Sequence, residues 1–185
     1  EPIRLTSKGS GKVYLAIKSE GLALLDRSKE EDKGIVVRRR WLDSDGQVIR
    51  DWTLDGEEED LPPLNLTLGQ LIRVEVSLST RGRGRVHNIA VVDALPGGME
   101  VENPRLSTSV VDDNHKPVLP SQIDFLDDRV VLFASAGSRA DTYSYSLRAI
   151  TQGEFAIPAV QATCMYDSSL NSLHGAGKVS ITPIQ

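Results

Sequence analysis

TYSYSLRAI, residues 142–150, alternates two kinds of side chain along its length. Tyr143, Tyr145, Leu147 and Ala149 fall on one side of an extended chain, and Thr142, Ser144, Ser146 and Arg148 on the other. Successive strand residues point to opposite faces, so this is a strand with one dry and one wet side. LIRVEVSL (71–78) repeats the pattern, with Ile72, Val74, Val76 and Leu78 set against Arg73, Glu75 and Ser77. RVHNIAVVDAL (85–95) and RVVLFA (129–134) are apolar on both faces, as central strands of a sandwich should be. Further strands are expected near 11–18, 34–41, 47–53, 154–164 and 177–183.

Turn chemistry supports this spacing. LDSDGQV (42–48) carries Asp-Gly between two strand-like runs, a hairpin signal, and LPGGME (95–100) breaks after a strand. Asn103-Pro104 opens the single helix candidate, roughly 104–111, which Val110 and Val111 weaken. Short strands, frequent turns and at most one short helix predict an all-β fold, an antiparallel β-sandwich.

Composition narrows the function classes. The 185 residues are 39% hydrophobic and 25% charged, enough for one domain with a real core. A net charge of −5 argues against a nucleic-acid binder. No apolar run approaches the ~20 residues of a membrane span, so no direct membrane insertion is expected. The single cysteine, Cys164, excludes an internal disulfide. The charged run RSKEEDKG (27–34) divides the chain into an N-terminal segment, 1–33, and a main body, 34–185; DGEEEDLPPLN (55–65) reads as an exposed connector.

The short motifs carry little chemistry. GSGK (9–12) lacks phosphate-loop spacing and a following helix. DSDG (43–46) begins like a calcium loop, but Leu54 stands where the bidentate glutamate belongs. RRR (38–40) is expected to alternate faces along a strand, and RGRGR (81–85) to form a tight reversal between two strands. His87, His115 and His174 are far apart, so no metal site, catalytic residue or cofactor is assigned. A strand-borne Cys164 in apolar surroundings is expected to be an inert thiol.

NIAVVDALPGGMEVENPRL (88–106), DFLDDRVVLF (124–133) and YSLRAITQGEFAIPAVQATCMYDSSLNSLHGAGKVSI (145–181) carry a more specific signal. In order and spacing they resemble the C-terminal domain of bacterial alpha-2-macroglobulins, over most of residues 34–185. GSGKVYLAIKSEG (9–21) resembles the strand that closes the preceding β-domain in that family. The resemblance implies a macroglobulin-like, immunoglobulin-like two-sheet sandwich. It also implies a non-enzymatic terminal module of a long periplasmic or secreted protease trap. The implied partners are other domains of the same chain, including a thioester domain, and target proteases met through the full-length protein. The alternative is a structural or adaptor domain of a thioester-free relative, with partners in the cell envelope. Animal members bind a receptor through helix lysines; the candidate 103–113 has none, so that role is not carried over. Nor is this a thioester domain, because Asp167 stands where Cys-x-x-Gln needs its glutamine.

In bacterial members a Met-Tyr pair at the matching strand end helps cover the thioester. The resemblance therefore implies a latch at Met165 and Tyr166, followed by Asp167. Periodicity leaves another reading open. Alternation from Val160 through Ala162 and Cys164 puts Tyr166 on the cysteine's face and Met165 with Gln161 and Thr163, so either could pack inside its own sandwich.

Overall fold

The structure is a computed structural model. It describes residues 6, 8–12, 14, 16, 30–53, 61–82, 84–102 and 119–184. Fourteen strands and no helix occur among these residues. The helix candidate 103–113 lies outside them, as does half of the strand expected at 11–18.

The two alternating stretches become neighbours. β5 (Leu71–Thr80) and β10 (Asp141–Ala149) pair antiparallel, with Tyr143 opposite Val76 and Leu147 opposite Ile72. Their dry faces thereby join into one surface. β2 (Ile35–Leu42) and then β3 (Val48–Asp51) extend this sheet on one side, and β7 (Met99–Val101) on the other. The Asp-Gly turn joins β2 to β3, with Gly46 at φ 79° and the Asp43 carboxylate accepting the backbone N–H of Asp45 and Gln47.

A six-stranded sheet faces this five-stranded one. Its order is β1 (Glu31–Lys33), β13 (Asp167–His174), β12 (Val160–Cys164), β6 (Val86–Ala94), β9 (Arg129–Ala136) and β8 (Gln122–Phe125). β11 (Gly153–Ile157), β14 (Gly177–Thr182) and β4 (Leu64–Thr67) form a third sheet, in which β14 and β4 are parallel. All three sheets contribute to one apolar core, among them Ile35, Val74, Ile89, Leu132, Ile157 and Val179. The all-β sandwich is as expected; the parallel pair is an exception within it.

Several local expectations are corrected. The stretch 154–164 is two strands in different sheets, because Pro158 lacks the N–H that would continue the ladder. β1 forms within the charged run at 27–34 and pairs with β13. β4 begins inside the presumed connector, and β7 inside the presumed turn at 95–100. The polar residues after Tyr166, where no strand was expected, form the eight-residue strand β13.

Candidate functional site

Cys164, Met165, Tyr166 and Asp167 form the tip of the β12–β13 hairpin, with Cys164 paired to Asp167 across a two-residue turn. The strand ends at Cys164, so alternation does not continue through the turn. Cys164 is 7% exposed, whereas Met165 is 54% and Tyr166 82% exposed. Neither therefore packs inside its own sandwich. The Cys164 sulfur meets the backbone carbonyl of His87 at 3.6 Å, the contact of a structural thiol. The Asp167 carboxylate accepts from the backbone N–H and the hydroxyl of Ser169, at 3.1 and 2.5 Å, and fixes the exit from the turn.

The tip is braced by the neighbouring strand. β6 departs from regular pairing with β9 between Val86 and Ile89, and within that irregularity Asn88 has φ 57°. Among described non-glycine residues only Asn88 adopts positive φ, a conformation asparagine tolerates better than most. Its carbonyl accepts the Met165 N–H at 2.9 Å. Met165 and Tyr166 thus lack the left-handed backbone of the usual two-residue hairpin turns. A register shift at Thr163/Cys164 accommodates the mismatch in β13.

The hairpin's roots are held by Arg39, the middle arginine of RRR, which is 2% exposed. Its guanidinium donates to the carbonyl of Pro158, just before β12, at 2.8 Å, and to that of Gly175, just after β13. It also pairs with Asp93 of β6, whose other oxygen accepts the Tyr145 hydroxyl at 2.6 Å. The Trp52 ring lies 4.6 Å from the guanidinium and meets Trp41 edge-on, with centroids 5.7 Å apart. Burial and then the Asp93 charge push the Tyr145 hydroxyl well above its ordinary pKa, so it stays a donor. A buried charge must be paired and hydrogen-bonded, and here its partners are Asp93 and the hairpin's two roots.

A second brace ties β1 to β13. Arg38 donates to both Asp32 oxygens, at 3.0 and 2.6 Å, and Arg81 adds a contact at 3.2 Å. Ser172 donates to Asp32 at 2.7 Å while accepting the Val37 N–H at 3.0 Å. Burial raises the Asp32 pKa, but the bonds from Arg38 and Ser172 and the charges of Arg38 and Arg81 hold it below the ordinary value. Beside this node, burial and then the charges of Arg38 and Arg39 lower His174 to about 4.

Sequence reasoning picked out the tip but missed its supports. One signal for Arg39 was present: period two puts it on the face of Ile35, Val37 and Trp41. No sequence spacing links it to Asp93, Pro158 and Gly175. Among the described residues no group of three or more His, Cys, Asp and Glu converges as a metal site. The arrangement instead presents a thioether and a phenol ring on a hairpin whose backbone is held at its tip and at its roots.

The sequence family described as Bacterial Alpha-2-macroglobulin MG10 domain matches residues 34–168, which include the whole tip. The chain belongs to this family. Alpha-2-macroglobulin of Rickettsia conorii is 26% identical over 167 residues, covering 89% of the MG10 chain and 8% of the relative. The Yersinia pestis homolog is 26% identical over 157 residues, covering 74% and 8%. The native Escherichia coli protein superimposes with a TM-score of 0.68 at 21% identity, covering 85% of this chain and 10% of that one. A Salmonella tyrosine-to-glycine mutant gives 0.66 at 23% identity, with 84% and 10% covered. These structures show the fold that the MG10 domain shares. The chain spans a tenth or less of the length of each of these relatives.

Proposed function

We propose that this MG10 domain is a non-catalytic, C-terminal module of a long periplasmic or secreted protease trap, and that Met165 and Tyr166 are a latch over a thioester on another domain of that chain. Residues 34–185 are the module and 1–33 the segment following a preceding β-domain, whose end supplies β1. The carrying observation is the contrast at the tip. Two large apolar side chains are 54% and 82% exposed on a hairpin clamped at both ends. Free energy of burial is thus held in reserve for a partner.

The chemistry fits a thioester. Such a bond hydrolyses or reacts with amines unless water is excluded. A flexible thioether beside a flat ring makes an apolar cover, and the tyrosine hydroxyl keeps a polar partner at its edge. Cleavage of a distant bait segment shifts the array of sandwiches, withdraws the cover and exposes the bond to lysines of the captured protease. The latch is one arm of a two-state device that bait cleavage biases.

The test is uptake of labelled methylamine by the full-length parent. Tyr166→Ala should raise the uptake rate of the uncleaved protein about tenfold, equivalent to ~1.4 kcal/mol of lost shielding. Met165→Ala should have a smaller effect in the same direction. If no form takes up label even after protease treatment, the latch is refuted, and the tip becomes a contact for a thioester-free neighbour. Equal uptake by all forms moves the guard elsewhere.

A further inference from the structure

β6 and β9 are apolar on both faces, and the sandwich core uses only one. Ile89, Val91, Val130 and Leu132 point into it. Between them Ala90, Val92, Val131 and Phe133 point outward, half-buried. Register sets Val92 beside Val131 and Ala90 beside Phe133, and Leu173 continues the first row beyond Gln161. Polar pairs flank the patch: Glu31 with Lys33 at the β1 edge, and Gln122 with Asp124 at the β8 edge. The five-stranded sheet is built differently. Its outer face carries ion pairs, Arg40 with Glu75 and Arg148 with Glu102. A sheet bordering water needs one apolar face, and an apolar patch rimmed by polar groups marks a contact surface.

We propose that the outer face of the six-stranded sheet, centred on Val92, Val131 and Phe133, docks on an apolar surface of a neighbouring domain of the same polypeptide. This rests on reading the chain as one module of a longer protein; it is independent of the latch. Size selects the occupant. The contiguous apolar patch is two rows on β6 and β9, with Leu173 of β13 set apart from it by the polar Gln161 of β12. At ~4.8 Å per strand it offers on the order of 100 Å². A stable complex of separate molecules buries about 800 Å² on each partner. A tethered domain, presented at roughly millimolar effective concentration, needs far less. Relatives roughly eight to eleven times as long have the chain to supply it.

Hydroxyl-radical footprinting of the full-length parent and of residues 1–185 alone tests this. Phe133 and Leu173 should be labelled several-fold less in the parent, while Val48, exposed on β3, should be labelled equally in both. Val131→Lys in the parent should return Phe133 labelling toward that of the isolated chain. The same substitution should move the melting temperature of the isolated chain by no more than about 2 °C. Equal labelling of Phe133 in the two proteins overturns the proposal. So does protection of the isolated chain that grows with its concentration, which would make a second copy the occupant. The intact mass of the parent tests the module reading separately.

Discussion

Arg39 is a buried charge that ties distant parts of the chain together. It joins β2 to β6 through Asp93 and to both ends of the β12–β13 hairpin through two carbonyls. Removing one partner of such a pair leaves a charge buried and alone. Asp93→Ala should therefore cost about 3–5 kcal/mol in urea unfolding, and Arg39→Met/Asp93→Ala together less than the two single losses summed. His174 gives a second prediction at this scale. Burial, then Arg38 and Arg39, lower its folded pKa to about 4, against an ordinary value of 6.5. The unfolded chain thus binds the extra proton first as pH falls. The stabilisation is complete above about pH 6.5 and is lost progressively down to about pH 4. Asp32 pulls the other way, and Glu30, 3.6 Å from the imidazole, can pair with it once it is charged. His174→Gln should flatten the stability curve between those limits, where wild type loses roughly 3 kcal/mol.

At the scale of elements, β1 and the β13–β14 connection show how much depends on few contacts. β1 has three residues, and the Asp32 node holds it to β13. Asp32→Ala should speed amide exchange over Asn171–Leu173 and free the edge of β13, with only a small fall in the melting temperature of the whole domain. Gly175 stands at φ 74°, and a Cβ there would lie 3.0 Å from the Trp52 ring. Gly175→Ala combines a strained backbone with a clash against a buried ring and should cost about 1–3 kcal/mol in thermal unfolding. Legibility followed pattern strength. β5 and β10 alternate cleanly and stand within two residues of where the sequence put them. β13 begins Asp-Ser-Ser, a composition strands avoid, and pairing with β12 overrides that preference.

For the whole molecule the question is which surfaces face water. The tip lies outside the core, so Tyr166→Ala in the isolated chain should change its unfolding free energy by less than about 0.5 kcal/mol. Its effect on methylamine uptake by the parent would then be a property of the contact rather than of folding. A larger loss of stability would show that Tyr166 supports the domain itself and would weaken the latch reading. The doubly apolar strands make the complementary point. In sequence they signified only a central position in a sandwich. In the structure their second apolar set borders the outside.

Sequence alone determined the fold class, because period-two alternation depends on local geometry that every strand must obey. The resemblance to bacterial alpha-2-macroglobulins singled out Met165 and Tyr166. Tertiary structure decided the rest. It put Arg39 at the roots of the hairpin, set Asn88 beneath the tip, and turned Met165 and Tyr166 outward. Each of these joins residues far apart in the chain through register and packing between strands, and no local pattern encodes which strand becomes whose neighbour.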